Sequence, residues 1–336
     1  MGEGRAAGEA CDGVEEERVR EPSRERAGST GTTARMGRRV SFAHAPRDLL
    51  IGAGLVLFGG ILWGCNATVS KVLMESYGAR PLWIACIREL GAGVLFLAAA
   101  AARTPKLFVG AVTETRSYPR YAACALICVL TTQVAYLSSI DWTNAGTATV
   151  LQSLNLLFVL LFVCVRGRRW PGLREGVGVA LAFAGTVLIA TGGDLSTLKL
   201  PMVGLAWGLV NAAATGAMSI MPVRLIQRWG NMAVNGLMFL ISGLALMPVV
   251  RPWATAPQLD SFGVLLMAYT VMLGTFGAYG LFLGGVMRVG AMRATMLGTS
   301  EPVAATVSSV LCLGAVFTPT DLVGFLMILI MVFLVR

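Results

Sequence analysis

The sequence predicts an all-α integral membrane protein with ten transmembrane helices, arranged as two inverted five-helix repeats. Of the 336 residues, 56% are hydrophobic and 13% are charged, which leaves too few charges to cover a water-soluble globular protein. The apolar residues fall into blocks of ~17–25 residues, the length that a helix needs to cross a bilayer. Motifs in the first five blocks recur in the last five at a nearly constant distance.

The apolar blocks are separated by short polar breaks that contain Pro, Gly or Arg. We expect one membrane-spanning helix from each block. In chain order the blocks cover 49–73, 82–102, 121–140, 145–165, 176–191, 202–226, 233–250, 262–287, 291–317 and 322–335.

Positive charges orient the predicted bundle. With the N-terminus in the cytoplasm, the loops on that side hold Arg103, Lys106, Arg116, Arg120, Arg166, Arg168, Arg169, Arg174, Arg224, Arg228, Arg288 and Arg293. The opposite loops hold only Arg80, Lys199 and Arg251. Because Lys and Arg concentrate in cytoplasmic loops, we expect a multi-pass protein of the plasma membrane with both termini in the cytoplasm. The net charge of +9 follows from this bias and does not indicate nucleic-acid binding.

Residues 1–47 differ in kind from the rest of the chain. They are polar and rich in Arg, Glu, Gly, Ser and Thr, so we expect a disordered cytoplasmic tail. The single His of the chain lies there, at His44. Most of the seven Cys lie in apolar blocks, where a thiol behaves as a small hydrophobic group. We therefore predict no disulfide framework, no metal site and no cofactor.

Two internal matches divide the chain into five helices plus five. The motif that runs from Gly60 to Gly64, GILWG, resembles GLAWG from Gly204 to Gly208. In the openings of the fourth and ninth blocks, residues match at an offset of 146, and the offset sets Asn155 against Glu301. An odd number of crossings per repeat inverts the second repeat in the membrane, as in many secondary transporters. The predicted repeats cover 48–192 and 200–336.

Glycine pairs four residues apart occur in three of the blocks. They remove side chains from one helix face, so that neighbouring backbones can approach closely. The simple interpretation is close packing, and the more specific one is a sliding surface between moving halves. The pairs are Gly60 with Gly64, Gly204 with Gly208, and Gly280 with Gly284.

The chain resembles the drug/metabolite transporter superfamily, in particular its ten-helix EamA-type exporters. The resemblance rests on the Trp-Gly of helices 1 and 6, on Arg88 in IREL of helix 2, on AGTATVLQSL in helix 4 and on LGTSEPV in helix 9. It covers about residues 50–335 and implies solute transport, usually export or exchange.

Glu301 is the first candidate site residue. It lies ~15 Å from the Gly290 start of helix 9, at 1.5 Å per residue, and therefore near the bilayer centre. An unpaired charge there costs of order 3 kcal/mol or more. Glu301 could titrate, bind a cationic group or pair with Arg88; the alternative is a structural role at a local break before Pro302. Arg88 could grip a carboxylate or phosphate, or only anchor helix packing. Its neighbour Glu89 points ~100° away on the helix, so both cannot face one cavity.

Polar and aromatic residues on matching helices complete the predicted lining of a substrate cavity. Each of them alone is more often an interhelical contact than a ligand contact, but together they suggest a cavity for a mostly apolar or zwitterionic solute. They are Trp63, Asn66, Gln133, Tyr136, Gln152, Asn155, Trp207, Asn211 and Tyr279.

The predicted function is secondary transport by alternating access, exporting or exchanging a small metabolite, amino acid or drug-like compound. The alternatives are an importer or exchanger of an anionic metabolite, and a membrane scaffold or receptor that transports nothing. The sequence contains no Walker motif and no cluster of His, Asp or Cys for an intramembrane enzyme, so we predict no enzyme activity. Predicted partners are a small-molecule substrate and the lipid bilayer, with a proton and a second copy of the chain as further candidates.

Overall fold

The computed structural model describes residues 46–194 and 198–335. The tail predicted at 1–47 lies outside these residues except for its last two positions. We call 46–194 the first half of the chain and 198–335 the second half. Every regular element within these ranges is helical, because a bilayer offers no water to satisfy a main chain that is not internally hydrogen-bonded.

Helices follow one another with short connections in the first half. In chain order they are α1 (Pro46–Tyr77), α2 (Pro81–Arg103), α3 (Pro105–Thr113), α4 (Tyr118–Cys124), a π-helical segment (Ala125–Leu130), α5 (Thr131–Trp142), α6 (Ala145–Gln152), α7 (Asn155–Gly167) and α8 (Leu173–Thr191).

The second half repeats much of this order. It contains α9 (Met202–Met218), α10 (Val223–Trp229), α11 (Asn231–Val250), α12 (Ser261–Val271), a second π-helical segment (Met272–Gly277), α13 (Ala278–Val289), α14 (Ala291–Leu297), α15 (Ser300–Leu313) and α16 (Pro319–Leu334).

The described helices confirm the predicted all-α membrane fold class. Eight helical stretches among the described residues are long and apolar enough to cross a membrane, and α9 with α10, bent by 44°, makes a ninth if the two form one span. The helix α16 is shorter, with 16 residues. Each predicted apolar block coincides with one of these stretches. The direction of each crossing, and with it the inversion of the second half, stays a prediction.

Three predicted continuous helices are in fact interrupted. The block at 202–226 bends between α9 and α10. The fourth block breaks between α6 and α7, where Ser153 and Leu154 donate to main-chain oxygens three residues back. The ninth block breaks between α14 and α15 at Gly298 and Thr299, where Thr299 and Glu301 donate to main-chain oxygens three residues back. This second break places Pro302 in the first turn of α15, where its missing N–H costs no helical hydrogen bond.

Interhelical contacts define two ends of the bundle. At the arginine-rich end, Gly52 lies against Arg288, Gly178 lies against Val335, and Glu114 forms an ion pair with Arg228. At the opposite end, the Tyr77 hydroxyl donates to Asp260 over 2.7 Å, the Trp83 indole donates to the Pro252 oxygen over 3.1 Å, and Lys199 pairs with Asp321 at 3.0 Å. The loops that carry most of the arginines therefore share one end.

Glycines join the two halves of the chain. A Cβ atom built on Gly64 of α1 would lie 2.7 Å from the Ala305 nitrogen of α15, and one on Gly208 of α9 would lie 2.6 Å from Leu151 of α6. Both predicted close-packing pairs that begin with Gly60 and Gly204 therefore face the other half. The third pair differs, because Gly280 has no atom within 4 Å of such a Cβ and Gly284 has none within 3.4 Å. The expectation of close packing is wrong for this third pair.

Substituting the two kinds of glycine tests this packing. We expect Gly64→Val to destabilise the protein by ~1–3 kcal/mol, because the added side chain overlaps the backbone of α15. The matched control Gly280→Val adds the same side chain to open space and leaves the thermal midpoint in detergent near the wild-type value. Equal midpoints for the two variants would contradict the packing assignment.

A polar cluster connects the halves at the arginine-rich end. The Glu114 carboxylate accepts from Ser117 at 2.6 Å, from the Trp229 indole at 3.2 Å, and pairs with Arg228 at 2.5 Å. The Ser117 hydrogen bond, followed by the Arg228 charge, holds the pKa of Glu114 below its ordinary value.

Acid should weaken this cluster. A carboxylate whose folded pKa is lowered contributes stability above its unfolded pKa of ~4.3, and that contribution is lost as the pH falls through the folded value. We expect the wild-type thermal midpoint to fall more steeply with acid than that of Glu114→Gln below about pH 4. Parallel acid limbs for the two proteins would rule out this contribution.

Candidate functional site

A cavity of about 430 Å³ lies within the bundle and is lined by side chains of both halves. It takes in nine of the eleven residues that the sequence predicts for the substrate site. They are Trp63, Asn66, Arg88, Gln133, Tyr136, Gln152, Asn155, Tyr279 and Glu301. That these residues bind a substrate stays a prediction, but the structure brings them together.

Two predicted residues do not line the cavity. Trp207 is half-buried elsewhere on α9, and Asn211 is fully buried behind the wall. The reason for Asn211 is that Gln152 stands between it and the cavity and accepts a hydrogen bond from its amide over 3.0 Å. Asn211 therefore supports a lining residue and does not face the cavity itself.

Several lining residues are absent from the sequence-based set. Phe282 lies one helical turn after Tyr279, so helical spacing alone could have found it. Ser153 and Thr299, which the 146-residue offset pairs, both line the cavity at the two helix breaks. The match between the two residues is visible in the sequence. In a helix that is predicted to be continuous, however, neither residue indicates a cavity.

The two helix breaks set the position of Glu301 and its counterpart. Asn155 is the first residue of α7, and Glu301 is the second residue of α15. The first turn of a helix carries the positive end of its dipole and favours a negative charge. Glu301 thus lies at a helix start inside the bundle, facing the cavity.

A chain of amides connects Glu301 to α9. The Gln152 amide donates to Glu301 Oε1 over 3.3 Å, Asn211 donates to Gln152 Oε1 over 3.0 Å, and Thr215 donates to Asn211 over 3.3 Å. The chain passes from the second half to the first half and back. These hydrogen bonds link Glu301 to the part of α9 that precedes the bend into α10.

Arg88 supplies the positive charge of the cavity. Its side chain is 7% exposed, and Nη2 donates to Gln133 Oε1 over 2.5 Å. Its Nε and Nη1 atoms have no hydrogen-bond partner among the described residues. Within the same residues no ion pair joins Arg88 to Glu301, so the pairing considered from the sequence is absent.

An aromatic wall closes one side of the cavity. The Trp63 ring packs edge-on against Tyr279, with ring centres 5.1 Å apart, and lies 5.0 Å from Phe282. On another side the Tyr136 hydroxyl contacts Thr149 at 2.8 Å. Because the Thr149 hydroxyl proton is given to the Ala145 oxygen, Tyr136 donates in this contact. The π-helical segments precede Gln133 and Tyr279 in their spans.

Comparison with known proteins decides the family. The sequence model described as the EamA-like transporter family matches residues 50–191 and, a second time, 202–336. The chain belongs to the EamA-like transporter family. It is therefore a multi-pass membrane transporter, in agreement with the resemblance found in the sequence.

Relatives of this EamA-like transporter are similar over most of its length. The Salmonella typhimurium inner membrane transporter YicL, named as uncharacterized, is 29% identical over 83% of this chain and 93% of its own. The Bacillus subtilis transporter YwfM, also named as uncharacterized, is 25% identical over 80% of this chain and 88% of its own. One solved crystal structure shares the fold, with a TM-score of 0.57 at 16% identity over 86% of this chain and 96% of that one.

The cavity of this EamA-like transporter offers organic recognition groups. It combines one guanidinium, one carboxylic group, side-chain amides, hydroxyls and aromatic rings. Over residues 46–194 and 198–335, no group of three or more His, Cys, Asp or Glu could hold a metal ion.

Replacement of Asn211 tests the amide chain. We expect Asn211→Leu to lower stability by ~1–3 kcal/mol, because it removes the hydrogen bond from the fully buried Asn211 amide to the half-buried Gln152. It should also weaken solute binding, since Gln152 no longer holds its orientation toward Glu301. The matched control Asn235→Leu removes a hydrogen bond inside α11 and should leave binding unchanged. The measurements are the thermal midpoint and a binding isotherm in detergent.

Proposed function

We propose that this EamA-like transporter is a secondary transporter that exports or exchanges a small zwitterionic metabolite, amino acid or drug-like compound by alternating access. The observation that carries the proposal is the presence of Arg88 and Glu301 in one cavity without an ion pair between them. Because Arg88 and Glu301 are not paired with each other, they suit a solute that carries both a negative and a positive group.

Arg88 suits the anionic group of such a solute. Its Nε and Nη1 atoms, which have no partner among the described residues, are N–H donors on two different edges of one planar guanidinium. Each edge also includes Nη2, and either edge would match the two oxygens of a carboxylate. Glu301 suits a cationic group, or a proton when no cation is bound. The rings of Trp63, Tyr279 and Phe282 would contact the apolar part of the solute.

The shape of the bundle supports alternating access. The cavity extends from mid-span to Thr295 and Val332, near the ends of α14 and α16 that belong to the arginine-rich end. Toward the opposite end a buried apolar cluster of both halves, with Trp83, Ile140 and Met267 among its members, fills the bundle. If the arginine-rich end is cytoplasmic, as the charge bias predicts, this conformation accepts a solute from the cytosol.

The predicted repeats fit this mechanism. Inverted repeats at 48–192 and 200–336 would rock against each other around a fixed site near mid-span. The glycine contacts of Gly64 and Gly208 lie between the halves and would serve as sliding surfaces. The proposal places the protein in the plasma membrane with both termini in the cytoplasm, because this orientation puts the arginine-rich loops on the cytoplasmic side.

An anion exchanger is the second candidate. The favouring observation is that Arg88, buried and only partly hydrogen-bonded, requires an anionic group more strongly than Glu301 requires a cationic one. In that case Glu301 would act on a proton or on helix packing, and its neutralisation would leave solute affinity intact.

Flux into and out of proteoliposomes tests transport itself. Vesicles that contain the purified protein, a mixture of metabolites and an imposed pH gradient should show movement of specific compounds. The absence of any flux, with correctly folded protein, would favour a scaffold or receptor.

Arg88→Lys keeps the charge but removes the fork. We expect the half-saturating solute concentration to rise roughly ten- to a hundredfold, since the loss of one hydrogen bond to a charged group costs ~1.5–3 kcal/mol. The control Arg80→Ala removes an exposed loop arginine and should leave that concentration unchanged. Unaltered affinity in Arg88→Lys would remove Arg88 from the solute site.

Glu301→Gln separates the two candidate functions. For a zwitterionic solute we expect weaker binding and a flatter pH dependence of flux, because the amide neither attracts an ammonium nor titrates. For an anionic solute, only the pH dependence should change. The matched control is Glu75→Gln, in which the acid is exposed at the end of α1. Wild-type affinity and pH dependence in Glu301→Gln would contradict both roles.

A further inference from the structure

Glu89 is a second acid inside the bundle, and the cavity does not use it. Its side chain is fully buried between α2 of the first half and α11 of the second. The Ser242 hydroxyl, itself fully buried, donates to Glu89 Oε2 over 2.6 Å. Glu89 Oε1 has no hydrogen-bond partner among the described residues.

The surroundings of Glu89 are tightly packed on both sides. One turn further along α2, a Cβ atom on Gly93 would lie 2.8 Å from the Leu240 nitrogen, and one on Gly243 would lie 2.8 Å from Leu90. One turn earlier, the Cys86 thiol contacts the Gly243 oxygen at 3.7 Å. The two backbones are therefore in contact on either side of the carboxyl group, and the interface leaves little room for water.

Few charged or titratable groups surround Glu89. On α2 itself, Arg88 and Cys86 lie within electrostatic range. The helix α11 contributes no titratable side chain at all. The other elements packed on α2 carry Lys106 on α3, Tyr136 and Asp141 on α5, and Tyr269 on α12, and the second π-helical segment carries none. No cation lies within ion-pair distance of Glu89 in the part of the chain that the structure describes.

Arg88 does not neutralise its neighbour. Adjacent residues of a helix point ~100° apart, and the Arg88 guanidinium faces the cavity with Gln133. A carboxylate at Glu89 would then be a buried charge with a single hydroxyl donor. A neutral carboxyl group leaves at most one hydroxyl without an acceptor, which costs less than an unpaired buried charge.

We propose that Glu89 is a proton-binding site, separate from the solute cavity, that holds its proton while α2 and α11 are packed as seen here. The ligand is a proton on the carboxyl group, with Ser242 donating to the other oxygen. Release of the proton to water produces a carboxylate, which the packed interface cannot accommodate. The proton therefore leaves only when the two helices separate.

The occupancy of Glu89 would couple protons to movement of the halves, because α2 and α11 belong to different halves. This coupling rests on the proposed alternating access, whereas the proton occupancy itself does not. The two parts are tested by different measurements, so that failure of transport leaves the occupancy decided.

Infrared spectroscopy of the full-length protein in lipid vesicles tests the occupancy. A protonated carboxylic acid gives a C=O stretching band that a carboxylate lacks, so the probe is the proton itself. At neutral pH we expect this band in Glu301→Gln, where the cavity acid cannot contribute. The band should disappear in Glu89→Gln with Glu301→Gln, and persist in the matched control Glu75→Gln with Glu301→Gln. A band unchanged by loss of Glu89, or absent at neutral pH while Glu89 is present, would overturn the proposal.

Ser242→Ala keeps the proposal testable if Glu89→Gln does not fold. It retains the acid but removes the donor at 2.6 Å, so the C=O band should shift to higher frequency. An unshifted band would place the protonated acid elsewhere and would also overturn the assignment.

Flux provides the test of coupling. Where wild-type flux is present and pH-dependent, part of the pH dependence should persist in Glu301→Gln. Glu89→Gln, which holds a permanently neutral group, should lose that remaining part. An unaltered pH profile would show that the Glu89 proton is structural only. If the wild-type protein moves no solute, the transport proposal fails, and the infrared result still decides the occupancy.

Discussion

The absence of water from a bilayer is the constraint on which the rest of this structure depends. Irregular main chain at membrane depth is tolerated only where protein or a water-filled cavity satisfies it. In this protein the break between α6 and α7 contributes Gln152, Ser153 and Asn155 to the cavity, and the break between α14 and α15 contributes Gly298, Thr299 and Glu301. The irregular backbone and the candidate site therefore coincide because one cause explains both.

The two π-helical segments are a second kind of backbone irregularity that lies close to the cavity. They begin 147 residues apart, at Ala125 and Met272, and each has six residues. A π-helical turn commonly marks a functional position in a helix. Here each segment is followed within its span by residues that line the cavity, among them Gln133 and Tyr279, which the repeat offset sets against each other. The halves thus share backbone irregularities even where their side chains differ.

Much of the fold could be predicted from the sequence, because helix length and apolarity are set directly by the bilayer. The cavity could be predicted from polar residues at matching positions of the repeat. The break at Ser153 and Leu154 could not, because a turn of three-residue hydrogen bonds requires neither Gly nor Pro. Asn211 was misplaced for a different reason: composition shows that an amide is present, but only packing shows that Gln152 stands in front of it.

The two halves share a similar order of helices and breaks, but they carry different side chains at equivalent positions. Under the repeat offset Glu301 corresponds to Asn155, and Gln152 donates to the acid of the other half. Two symmetric acids facing one cavity would repel each other and would attract a single cation equally from both sides. One acid and one arginine instead fix the orientation of a bound zwitterionic solute, since it can satisfy both charges in only one orientation. Glu89 lies outside this arrangement, between α2 and α11, where no solute reaches it. Its charge can therefore change only with the packing of the halves, whereas the charge on Glu301 can change with the contents of the cavity.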